Sequence, residues 1–127
     1  MRTFLFLATG LSILLISGCS SSPHNAFIQD ATRIEVYSYD GEQPKLILSA
    51  ESPRQVEAMR KSIDFSDYTG ETCEPQGFMW VIQPQDTLTM NWNTSTGCEY
   101  VSYTFDGKSY QKNLTPSGII LIGTAYL

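Results

Sequence analysis

The chain has 127 residues, with 8 Lys and Arg against 13 Asp and Glu, a formal net charge of −5, and one histidine. That length suits a single small domain. The acidic balance argues against a nucleic-acid partner and against adhesion to anionic lipid by charge.

The chain begins with a short basic step, Met1-Arg2, followed by an apolar run from Phe4 to Ile16. At about 13 residues, that run fits the core of a signal peptide, whereas a spanning helix needs roughly 20. Ile16-Ser17-Gly18-Cys19 follows: an aliphatic residue, two small ones and a cysteine. This stretch resembles the lipobox of bacterial lipoprotein precursors. The resemblance implies export, cleavage after residue 18, and diacylglycerol and palmitate on Cys19. One acyl chain binds a membrane only marginally, whereas two or three hold firmly. Ser20, in the place where an aspartate would imply inner-membrane retention, points to the outer membrane facing the periplasm. The expected organisation is a cleaved signal peptide over 1–18, a lipidated flexible tether over 19–30 and one domain over 31–127. The mature chain keeps seven of the eight basic residues and all 13 acidic ones, for a net charge near −6.

Of the three cysteines, lipidation takes Cys19 and leaves Cys73 and Cys98. In an oxidising envelope the simplest reading of two thiols is one disulfide. The pair lacks the Cys-x-x-Cys spacing of a redox or metal site.

The segment from Ser20 to about residue 30 is small and polar, which is tether composition. Thr32 to Tyr39 alternates and is rich in β-formers, so a strand is expected, and Asp40-Gly41-Glu42-Gln43-Pro44 turns the chain. Lys45 to Ser49 is its partner. A helix then starts at Ser52, a good N-cap, with Pro53 in first place and Gln55 completing a capping box. Val56, Met59 and Ile63 fall on one face of it, Glu57 and Lys61 form an i,i+4 pair, and the helix is expected to end near Asp64. Gly77 to Gln83 has few polar positions and reads as a central strand. In Thr87 to Asn93, Leu88, Met90 and Trp92 share one face. Glu99 to Phe105 and Lys108 to Leu114 form a hairpin about Asp106-Gly107. Thr115-Pro116-Ser117-Gly118 reads as a turn, and Ile119 to Ile122 fits a last buried strand or a short helix equally well. The sum is an α+β fold, one helix packed on an antiparallel sheet in the order β-β-α-β-β-β-β, with room for one more strand.

Chemistry is sparsely supplied. His24 lies in the expected tether, so neither a Ser-His-Asp nor a Cys-His set can be assembled, and a zinc site lacks ligands. Asp64, Asp67, Glu71 and Glu74 crowd one stretch without EF-hand order and read as a solvated loop. No enzyme activity, cofactor or metal is expected. Aromatic residues are spread over several strands, and Tyr37, Tyr39 and Tyr100 are the candidate binding surface. Ser95-Thr96-Gly97-Cys98-Glu99-Tyr100 resembles a loop of membrane-bound lysozyme inhibitors, which are small disulfide-bearing lipoproteins. Those inhibitors are all-β barrels, and the helix after Ser52 departs from them. The expected partners are the membrane, through the N-terminal lipid, and a protein of the cell envelope, with a glycan or small ligand on the sheet aromatics as the alternative.

Overall fold

Side chains alternate between the two faces of a β-strand, so each strand's pattern assigns its residues to a side of the sheet. The structure is a computed structural model that describes residues 27–127. The expected signal peptide, Cys19, His24 and most of the expected tether lie outside the described residues.

The elements in chain order are β1 (Arg33–Ser38), β2 (Lys45–Ala50), α1 (Pro53–Arg60), β3 (Ile63–Asp67), β4 (Gly77–Ile82), β5 (Thr87–Asn93), β6 (Tyr100–Phe105), β7 (Lys108–Leu114) and α2 (Pro116–Tyr126). The strands form one seven-stranded sheet in the order β2-β1-β4-β5-β6-β7-β3, with every neighbouring pair antiparallel. The chain is thus an α+β domain built on one antiparallel sheet.

The core lies on one side of that sheet. Cross-strand rows run Val36–Met79–Met90 and Ile34–Val81–Leu88, all buried. Trp92 and Val101 continue the layer. Val56 and Met59 of α1 and Ile122 of α2 close over it. Each large apolar side chain so buried contributes about 1.5–3 kcal/mol before the entropy of ordering is counted. Trp92 is also tied by a hydrogen bond from its Nε1 to the Tyr37 carbonyl at 3.0 Å. Gly77 makes room for this, since a Cβ there would stand 2.0 Å from that same carbonyl oxygen and 2.7 Å from the indole.

α1 begins as its sequence dictates. The Gln55 amide donates to Ser52 Oγ at 3.2 Å, and the Ser52 amide donates to Gln55 Oε1 at 3.2 Å. Its far end differs from the expectation. The helix stops at Arg60, with Lys61 as C-cap, and not near Asp64. Ile63 does not extend the helical face; it opens β3 and pairs with Leu114. The reason is tertiary. Without β3, the outer edge of β7 would be an unpaired row of backbone groups. The strand is irregular, with a register shift between Ile63 and Asp67 and Phe65 at a φ of 62°. Left-handed backbone at a phenylalanine leaves no glycine for a reader of the sequence to find.

Two further corrections follow. Thr115-Pro116-Ser117-Gly118 is not a turn but the start of α2: Thr115 Oγ1 accepts from the Gly118 amide at 3.1 Å, and Pro116 takes the first helical position. Ile119 to Ile122 is therefore helical, so among the described residues α2 joins α1 on the sheet, and residues 27–29 are helical as well. The packed domain also reaches back into the stretch expected to be tether. Ile28 is buried in the core, the Phe27 carbonyl accepts from Gln83 Nε2 at 2.8 Å, and the Phe27 ring meets Phe105 edge-on at 5.9 Å. Among the described residues, no helix is long and apolar enough to cross a membrane.

Candidate functional site: the open face of the sheet

α1 and α2 pack on the core side, so the alternate side chains of the strands point to the other face. On β1 these are Arg33, Glu35 and Tyr37, and on β4 they are Phe78, Trp80 and Ile82. Tyr37 lies opposite Phe78 and Glu35 opposite Trp80. The rings form one cluster. Tyr37 stacks on Phe78 with centroids 4.9 Å apart, and Trp80 meets Tyr37 edge-on at 5.0 Å. Tyr39, just past the strand, leans on Phe78 at 5.5 Å. Tyr39 is 48% exposed and Trp80 37%, so the cluster is uncovered among the described residues. The charges beside it are already matched. Arg33 pairs with Glu35 at 2.6 Å and with Glu51 at 3.1 Å. The Tyr37 hydroxyl donates to Glu35 Oε1 at 2.7 Å, and that bond raises the Tyr37 pKa above its ordinary value.

Toward β5, β6 and β7 the same face turns polar. One cross-strand row runs Phe78–Asn91–Ser102–Gln111. Thr89 sits opposite Trp80 and Ser109 opposite Thr104. β5 and β6 pair only over residues 91–93 and 100–102, and where they part lies a concavity of about 900 Å³, open to solvent, whose only charged lining residue among those described is Asp67. The two halves of the face touch where the Tyr39 hydroxyl approaches Asn91 Oδ1 at 3.4 Å.

One end of the concavity is walled by the loop after β3. Tyr68 leaves that strand and stacks flat on Tyr100, with centroids 4.0 Å apart. Its hydroxyl donates to the carbonyls of Glu71 at 2.7 Å and Gly97 at 3.0 Å. Desolvation, reinforced by Tyr100, Glu71 and Glu99, pushes the Tyr68 pKa up. The Cys73 amide donates to the Tyr100 hydroxyl at 3.0 Å, and that hydroxyl donates to the Cys73 carbonyl at 3.2 Å. The disulfide joins Cys73 to Cys98, 25 positions apart. Asn93 Nδ2 donates to the Glu74 carbonyl at 2.6 Å and so anchors the same loop from below. At the rim, Lys112 Nζ donates to Asp67 Oδ1 at 2.6 Å and lowers the Asp67 pKa.

The candidate surface of Tyr37, Tyr39 and Tyr100 therefore divides. Tyr37 and Tyr39 lie together in the exposed cluster. Tyr100 is buried beneath Tyr68 and acts as the post to which the loop is tied, so it is not part of the surface. Its strand alternation places it on the open face, but alternation cannot see a loop folding back over it. Phe78 and Trp80 are absent from the expected surface for a related reason. A strand with few polar positions reads as central and does not declare an open side, yet here one side is core (Met79, Val81) and the other is the aromatic cluster.

The four carboxylates of the acidic stretch do not converge. Asp64 accepts from Ser66 Oγ at 2.8 Å, Asp67 is held by Lys112, and among the described residues no group of three His, Cys, Asp or Glu side chains could hold a metal. No protein-family model, curated protein or solved structure matches this chain.

Proposed function

We propose that this chain is a non-catalytic binding module of a bacterial cell envelope, anchored by lipid on Cys19 and placed at the outer membrane facing the periplasm. Its working surface is the bare face of the sheet. The observation that supports this most is the Tyr37–Tyr39–Phe78–Trp80 cluster, whose Tyr39 and Trp80 rings are exposed while α1 and α2 lie on the opposite face. Exposed aromatic groups cost solvation unless something covers them in use, and Trp and Tyr carry a disproportionate share of binding energy. The flanking charges are internally paired, and among the described residues the face shows no activated nucleophile or acid–base pair. A protein of the envelope is the partner class first expected from the acidic, tethered domain. The polar half of the face supports a glycan as a second reading.

Two experiments test this. The full chain, produced in a Gram-negative host, is expected to incorporate labelled palmitate, and Cys19→Ala to abolish incorporation; label retained in Cys19→Ala would remove the anchor. A photo-crosslinking residue is then placed in the full chain at Thr89, on the bare face, or at Ile120, exposed on α2. Adducts from Thr89 alone support the bare face as the working surface. Adducts from Ile120 alone, or from neither while no glycan binds the face, would overturn it.

A further inference from the structure

Resting on the proposed binding role of the bare face, we infer that its ligand is a neutral oligosaccharide, seated in the concavity between the aromatic cluster and the loop tied to Tyr100.

The chemistry of the lining leads to this class. The floor is built from Thr89 and Asn91 on β5, Ser102 and Thr104 on β6, and Ser109 and Gln111 on β7. Every one is a hydroxyl or a carboxamide, able both to donate and to accept. Asn91, Ser102 and Gln111 form one paired row and Thr104 faces Ser109, each step about 4.8 Å across the sheet, while Thr89 and Thr104 stand on either side of the opening where β5 and β6 part; all are uncharged hydrogen-bonding positions. A sugar presents the matching pattern, hydroxyls around its edge and apolar C–H faces above and below. The C–H faces need a ring to lie on, and Trp80, opposite Thr89 across the strands, supplies one at the margin of these positions.

Other ligand classes fit less well. No Lys or Arg lines the concavity, so a phosphate, a nucleic acid or an anionic headgroup finds no counter-charge. A cationic peptide finds a single carboxylate, Asp67, which Lys112 already engages. An extended peptide that adds to a sheet needs unpaired backbone. β5 and β6 are paired only over residues 91–93 and 100–102 and part beyond them, so the unpaired backbone facing the concavity is limited to the short runs 87–90 and 103–105, too little for a strand to add along. The volume of about 900 Å³ is in the range of ligand sites and holds several sugar rings. The walling loop closes one end of the concavity, so the chain of sugars would end or bend at Tyr68.

The test is a titration of the full chain, held in a zwitterionic detergent because maltoside headgroups are themselves neutral sugars. The probes are tetra-N-acetylchitotetraose, maltotetraose and cellotetraose, each taken to ~10 mM, well above a millimolar dissociation constant. The readout is the amide and side-chain amide shifts of the protein. The expected result is saturable shifts from at least one probe at Asn91, Ser102, Gln111 and the Trp80 indole, with none on α2. Asn91→Ala and Gln111→Ala, both solvent-facing changes, are expected to weaken that binding about tenfold each, and Ile120→Ser to leave it unchanged. Absence of shifts with all three probes overturns the inference, as does shifting that survives both floor variants. If Thr89 crosslinks a protein in cells while no probe binds, the glycan is wrong and the working surface stands. If Thr89 crosslinks nothing and no probe binds, both are wrong.

Discussion

Gly77 and Gly123 invite the same substitution with opposite results. At Gly77 a new Cβ would stand 2.0 Å from the Tyr37 carbonyl oxygen and 2.7 Å from the Trp92 ring, so either β1 or the indole must move. Overpacking of this kind costs about 1–3 kcal/mol. Trp92 is fully buried, and displacing it also breaks the 3.0 Å bond from Nε1 to that carbonyl, a further ~1 kcal/mol. Alanine's reduced freedom in the unfolded chain returns about 0.4–1 kcal/mol. Gly77→Ala should therefore lose about 1–3.5 kcal/mol. At Gly123 the nearest atom to a new Cβ is Thr94 Oγ1 at 3.9 Å, an ordinary contact. The position is helical, so Gly123→Ala should gain up to about 1 kcal/mol. Urea unfolding followed by Trp fluorescence measures both, and an unchanged m-value licenses the comparison. A Gly77→Ala midpoint equal to that of the parent would refute the account of how Trp92 is seated. A Gly123→Ala variant less stable than the parent would refute the packing given for α2.

Three further outcomes are expected. Replacing both Cys73 and Cys98 by serine removes a bridge across 25 positions and should cost about 3 kcal/mol by loop-closure entropy; the loss is read as a urea midpoint shift, and no shift would mean the loop is held equally well without it. Tyr100→Phe keeps the stack on Tyr68 but removes both bonds to the Cys73 backbone, at about 1–2 kcal/mol; amide exchange should rise in residues 68–76 before the strands respond, and uniform exchange would count against a local post. Burial raises the Tyr103 pKa to about 12. The protonated form is the one the fold favours, so its contribution is complete below the ordinary tyrosine pKa near 10 and is lost as pH rises from there toward 12; unfolding titrations should show about 1–2 kcal/mol disappearing in that window, and Tyr103→Phe should flatten it.

The strands of this domain were legible because alternation and turn chemistry coincide. The ends of β5 and β7 fall where the Thr87 to Asn93 alternation and the Asp106-Gly107 turn put them. β3 was not legible, because it exists to pair an edge and its backbone is bent at Phe65, a residue with no turn preference. Pro116 was read as part of a turn, although a proline following a threonine is also how a helix begins. The disulfide followed from arithmetic on the cysteines. The candidate site was half legible. Tyr37 and Tyr39 declare themselves by standing out of phase with Ile34 and Val36, whereas the faces of Phe78 and Trp80 depend on knowing that the helices cover one side only. Tyr100 obeys its strand and is hidden by Tyr68, 32 positions earlier in the sequence.

The described chain starts at Phe27, pinned by Phe105 and Gln83, at the end of the sheet where the 82–87 and 105–108 connections lie. The loop tied by Tyr100 and the disulfide lies at the opposite end. Eight positions separate Phe27 from Cys19, a reach of at most about 29 Å even fully extended. A lipid on Cys19 would thus give the domain a floor and a roof: the two hairpin tips against the bilayer, and the cross-linked loop as the first part of the molecule that anything arriving from solution would meet. Strands standing upright in this way would present the polar rows of β5, β6 and β7 side-on, parallel to the membrane and within that reach of it.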